Sequence, residues 1–210
     1  MGKTKEDILL TALRLFARDG YEATSTGAIA GALGMTKAAL YKHYQNKRDI
    51  FDHIVMRMEE LDAARAREQE MPEDMLENTP EAYRRTTMEA ACRYSKAQFD
   101  YWTGDEFAAC FRRLLTLEQF RNEEMSGLYQ QYLAAGPLGY MTDLFAQALG
   151  RDRQEASALA AEFYGPMFLF YAVYDGAEDP AAVRKAAHGQ IDRFFQNWRR
   201  NNEISTQSEV

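Results

Sequence analysis

Two short apolar-periodic stretches within residues 25–44, hinged on Gly34, constrain this chain more than any other feature. Ile29, Ala30 and Leu33 recur at helical spacing before the glycine, and Leu40, Tyr41 and Tyr44 after it. Ala30 is small where the two helices cross, and Gly34 makes the turn between them. That is the outline of a helix-turn-helix. The second helix, expected over 36–43, turns Thr36, Lys37, Ala38 and Lys42 outward. A hydroxyl and two lysines on an exposed face suit phosphates and base edges.

The rest of the chain also reads as helix, with no alternating strand pattern. Thr4 can cap a first helix, with Asp7 at the capping-box position and Gly20 as its stop. Ile8, Ala12, Leu15 and Phe16 form its apolar side. Thr24, Ser25 and Thr26 each offer a cap for the second helix. Asn46 caps a long fourth helix over 47–70. Thr79-Pro80 opens a helix to about Tyr101. Further helices are expected near 104–116 and 120–134. Gly136-Pro137 bends the chain ahead of a segment ending at Leu149. Asp152 to Asp175 is one long apolar helix, interrupted by Pro166, which should kink it. Asp179-Pro180 opens a last helix to about Arg200, and residues 201–210 read as a frayed polar tail.

The net charge of −7 is opposite in sign to what a partner of phosphates needs. It is unevenly spread. Residues 1–50 hold eight Lys/Arg against five acids, a net of +3, while the remainder holds 17 against 27, a net of −10. A basic head on an acidic body points the head at an anionic partner. No run of eighteen apolar residues marks a membrane span, and the polar start Met1 to Asp7 is unlike a secretory signal, so a cytoplasmic protein is expected. Cys92 and Cys110 sit in apolar helical patterns, and His43, His53 and His188 are scattered. No metal-ligand spacing appears, so no metal or cofactor is expected.

Residues 8–51 resemble the N-terminal domain of the TetR family. Ile8-Leu9, Ala12, Leu15-Phe16, Gly20-Tyr21, Thr24-Ser25, Ile29-Ala30, Gly34, Leu40-Tyr41, His43-Tyr44, Lys47 and Ile50-Phe51 carry the likeness. Tyr44 stands where the family often has Phe, Met35 where Val or Ile is usual, and Gly27 where a longer polar residue is common. The resemblance implies an all-α protein. Its three-helix DNA-binding domain would span 1–50, with the helix-turn-helix at about 25–44. A helical ligand-binding and dimerisation domain would span 51–200. The helix start near Thr26 and Gly27 suits a phosphate. Thr36, Lys37 and Ala38 open the recognition helix, where base edges are reached, and Ala38 suits a thymine methyl. Lys42 adds a cation beside them. Tyr41, His43 and Lys47 resemble family positions that hold phosphates.

Residues 51–200 carry no motif of that strength. The segment 156–174 is apolar almost all round, and a helix without a polar face must be covered on every side. The resemblance implies a two-fold dimer interface on the last two helices, with Phe168, Tyr171, Ile191, Phe194, Phe195 and Trp198 as candidates. It also implies an apolar cavity among the middle helices, for which Trp102, Phe111, Tyr129 and Phe163 are candidate lining.

The expected function is a homodimeric, sequence-specific transcriptional regulator. It would bind a palindromic double-stranded DNA operator and repress until a small, largely apolar ligand releases it. The long fourth helix is the natural lever. Control by a protein partner, and activation in place of repression, stay open. A helical enzyme is disfavoured by the lack of a metal motif, phosphate loop or nucleophile–base arrangement.

Overall fold

The computed structural model describes residues 4–72 and 80–208, with side chains to Arg199. The cap expected at Thr79 lies outside the described residues. In chain order the helices are α1 (Lys5–Asp19), α2 (Thr26–Ala32), α3 (Lys37–Leu40), α4 (Lys47–Glu68), α5 (Pro80–Arg85), α6 (Met88–Gly104), α7 (Glu106–Glu118), α8 (Glu123–Leu133), α9 (Ala135–Leu149), α10 (Arg153–Asp175) and α11 (Pro180–Ser208). No strand occurs among the described residues. The chain forms two compact units, one of residues 1–64 and 104–132, the other of residues 65–103 and 133–210.

The first unit is built on α1. Thr4 and Asp7 form the capping box, with Thr4 Oγ1 accepting the Asp7 N–H and Asp7 Oδ2 accepting the Thr4 N–H. Ile8, Leu13 and Phe16 are fully buried, together with Ile29, Leu40, Ile50 and Ile54 from α2, α3 and α4. Helix α7 packs along α1 and contributes Ala108, Phe111, Leu114 and Leu115 to the same core. Of the three possible caps for α2, Ser25 takes the role, accepting the Ala28 N–H at 3.1 Å. Thr24 is buried and donates its hydroxyl to Gly20 O. After α2, Gly34 adopts φ +67° and the Met35 N–H reaches back to Ala30 O at 2.9 Å. This is a glycine-dependent helix stop.

The helix that follows Gly34 is shorter than expected. Thr36 caps α3 by accepting the Ala39 N–H, and the α-helix ends at Leu40. Lys42 and His43 then bond to the carbonyls three residues back, so the last turn tightens.

In the second unit α9 packs on α10, and α10 on α11. Phe145, Phe163, Phe194 and Phe195 form one aromatic cluster with ring centroids 5.0–6.4 Å apart. Phe99 stacks on Tyr171 at 5.3 Å.

Three expectations about this unit change. The single helix expected to run to Tyr101 is two: the Thr86 N–H bonds three residues back to Tyr83 O, and Thr87 caps the restart at Met88 by accepting the Ala90 N–H. Gly136 and Pro137 lie inside the first turn of α9, where a missing N–H costs nothing. Helix α11 continues through Ser208, past the expected end at Arg200. Helix α10 carries Pro166 within one helical span.

Candidate nucleic-acid interface

The exposed side of α3 carries Thr36, Lys37, Ala38 and, just beyond it, Tyr41 and Lys42. Tyr41 is 47% exposed, although it neighbours the buried Leu40 and Tyr44. Its hydroxyl lies 3.0 Å from Thr26 Oγ1 at the start of α2. The two hydroxyls therefore sit side by side, each with capacity for a further hydrogen bond. Lys37 lies over the same end of α2: a Cβ added to Gly27 would sit 2.5 Å from Lys37 Cε and 3.1 Å from its Nζ. The short residue at position 27 thus gives the lysine its path. Thr26, Gly27, Lys37 and Tyr41 come together, and Ala38 and Lys42 flank them on the exposed side.

His43 and Lys47 are placed differently. His43 is half-buried. Lys47, whose side chain is only 23% exposed, donates from Nζ to Tyr21 O at 2.9 Å and to Glu22 O and Oε2 at 3.4 Å. Its ammonium also sits 4.3 Å from the Tyr21 ring centroid. Tyr44 is buried, set edge-on against His53, with its hydroxyl donating to Lys5 O.

Three interactions within this unit involve residues that sequence reasoning did not single out. Arg14 and Glu106 form a two-pronged pair at 2.6 Å, joining α1 to α7. Arg48 pairs with Glu124 in the same way, joining α4 to α8. Glu118 Oε1 accepts the Tyr21 N–H at 3.0 Å. The hydrogen bond from Arg14 holds the Glu106 carboxyl below the usual glutamate range. The two bonds to Glu124 and Asp52 hold the Arg48 guanidinium still more firmly protonated. A sequence signal existed for Glu118: a carboxylate in the last turn of a helix opposes the helix dipole, so it needs a partner.

The residues expected at a ligand cavity are all buried. Phe111 and Tyr129 belong to the first unit, Trp102 and Phe163 to the second. Of the expected dimer residues, Tyr171, Ile191 and Phe195 are buried, Phe194 and Trp198 are half-buried, and Phe168 is 44% exposed. Leu159, Glu162, Arg193, Phe194 and Trp198 line a groove of about 200 Å³ between α10 and α11.

Residues 8–54 match the family model described as bacterial regulatory proteins, tetR family. The HTH-type transcriptional regulator AcrR of Shigella flexneri is 46% identical over 52 residues, 25% of this chain and 24% of that protein. The biofilm operon icaADBC HTH-type negative transcriptional regulator IcaR of Staphylococcus epidermidis is 38% identical over 47 residues, 22% of this chain and 25% of that one. This chain therefore matches about a quarter of the length of these relatives. A crystal structure of a TetR-family transcriptional regulator from Marinobacter aquaeolei VT8 superimposes with a TM-score of 0.59 at 22% identity, over 87% of this chain and 85% of the other. Residues 8–54 are thus similar to the tetR family of bacterial regulatory proteins, and the described helices share the fold of a solved TetR-family regulator.

Proposed function

We propose that this protein is a homodimeric, sequence-specific DNA-binding transcriptional regulator, a repressor that leaves a palindromic operator when a small apolar ligand binds. The observation that carries the reading is the exposed cluster of Thr26, Lys37, Ala38, Tyr41 and Lys42 on a segment matching the tetR family. Lysines and hydroxyls anchor phosphates and fix the register, while the start of α3 meets base edges. Repression is the sign carried by the name of IcaR.

Dimerisation is supported by α10. Ala156, Ala160, Phe163, Met167 and Tyr171 are buried at spacings of three and four, so one face belongs to the core. The other face is also apolar: Phe168 is 44% exposed, Leu169 62% and Val173 45%. By length and composition α10 could cross a membrane, but its core face already packs on α9 and α11. A second copy of the chain would cover the remaining face. Trp198 Nε1 is buried with no hydrogen-bond partner among the described residues, beside the groove on this same helix pair. A partner chain would supply the acceptor.

The ligand would lie against Trp102, Phe111, Tyr129 or Phe163, since large planar side chains suit an apolar guest. It would act by binding better when the two readers are out of register with successive major grooves, about 34–36 Å apart. Titration of a mixed-sequence DNA duplex by fluorescence anisotropy tests the reader. Lys37→Ala and Lys42→Ala should each weaken binding and flatten the salt slope by about 0.9 for each phosphate no longer neutralised. Wild-type affinity and slope in both variants would contradict the placement of the interface.

A further inference from the structure

The turn between α1 and α2 is held from two sides at one residue. The Tyr21 N–H donates to Glu118 Oε1 at 3.0 Å, and the Tyr21 carbonyl accepts Lys47 Nζ at 2.9 Å and the Thr24 N–H at 3.3 Å. The Tyr21 ring is wedged between Phe16 at 5.1 Å and Phe51 at 5.3 Å, with the Lys47 ammonium over it. Glu118 is 3% exposed. Burying a carboxylate costs free energy unless it is hydrogen-bonded, and its place at the end of α7 adds an unfavourable dipole term. Packing alone would favour an apolar side chain there. The backbone is also shaped to admit it: Gly20 has φ +93°, and a Cβ on it would lie 2.8 Å from Glu118 Oε1.

We infer that Glu118 is a positioning residue for DNA binding, fixing through Tyr21 the point from which Lys47 presents its ammonium to a phosphate. This rests on the phosphate role proposed for Lys47. Without the carboxylate, the Tyr21 N–H is left buried and unpaired. The turn then relaxes, and the carbonyl that orients Lys47 moves with it. Glu118 touches no DNA in this scheme; it acts through the turn.

The test is anisotropy titration of the full chain against a mixed-sequence DNA duplex over a series of salt concentrations. Glu118→Met fills the volume without offering an acceptor. It is expected to lose about tenfold in affinity and to flatten the salt slope as Lys47→Ala does, by about 0.9 for the one phosphate released. Glu118→Gln keeps an acceptor oxygen and is expected to rescue most of that loss. The double variant Lys47→Ala/Glu118→Met should bind no more weakly than Lys47→Ala alone, because both changes abolish the same phosphate interaction.

A purely structural Glu118 would lower the melting temperature and leave the slope untouched. Wild-type slope in a folded Glu118→Met, or additive losses in the double variant, overturns the inference. Should Glu118→Met not fold, Glu118→Asp, one methylene too short, takes its place, and a wild-type slope there overturns the inference equally. If Lys47→Ala itself binds with wild-type affinity and slope, the phosphate role of Lys47 falls, and the inference with it.

Discussion

Glu118 and Tyr21 are separated by 97 residues of sequence, yet the carboxylate of one accepts the backbone N–H of the other at 3.0 Å. The bond needs a bare backbone at Gly20, whose φ is +93°. Gly20→Ala adds strain at that φ and drives a Cβ against the carboxylate. It is expected to cost about 1–3 kcal/mol, read as a lower urea midpoint with an unchanged m-value. An unchanged midpoint would mean that neither the strain nor the clash exists at this turn.

The Arg14–Glu106 pair should make stability depend on pH in acid. Its hydrogen bond lowers the folded-state Glu106 value below that of the unfolded chain. The contribution is therefore fully present above the unfolded value, about 4.3, and is lost as pH falls through the folded one. Both side chains are about half exposed, so the effect is small. Urea midpoints measured across the acid range should fall less steeply for Glu106→Gln than for the wild type. Parallel curves would show that the pair contributes nothing to stability.

Leu169, 62% exposed on α10, tests the dimer. Sedimentation should find the wild type as a dimer and Leu169→Glu as a monomer with unaltered helix content, because the face is open in the single chain. A wild-type monomer, or a variant that still dimerises equally well, would contradict the assignment.

Phe163 lies 5.0 Å from Phe194 and 5.5 Å from Phe195, ring to ring. If it is core, Phe163→Ala should cost about 3–5 kcal/mol in urea unfolding. A cost below about 1 kcal/mol would show that it borders open space, as a cavity-lining residue would.

Local signals were legible in the sequence wherever one residue type has one physical use. The Thr4–Asp7 box, the Ser25 cap and the Gly34 stop are each a short-range hydrogen-bond pattern with a fixed spacing. The length of α3 was not legible, since its last turn differs from an α-helix only by bonding three residues back. Nor was the break at Thr86-Thr87, because a threonine that bonds backward and one that caps forward look alike in sequence. The ties of Arg14, Arg48 and Tyr21 to α7 and α8 escaped for another reason: each joins residues at least 76 positions apart, and no periodicity reports such a pairing. Lys47 shows the limit of motif reading. Its place in the chain marked it for a phosphate, but only the structure shows it anchored to Tyr21 O.

As proposed, residues 8–54 read a DNA sequence as half of a symmetric pair. Selection of duplexes from a randomised library by the full chain, followed by sequencing, tests it most directly. The expected result is enrichment of one inverted repeat, with half-sites one helical turn, about 10 base pairs, apart or a multiple of it. Enrichment that disappears with Lys37→Ala would tie the selection to α3. Recovery of no symmetric sequence, under salt conditions where the chain binds DNA at all, would contradict the account.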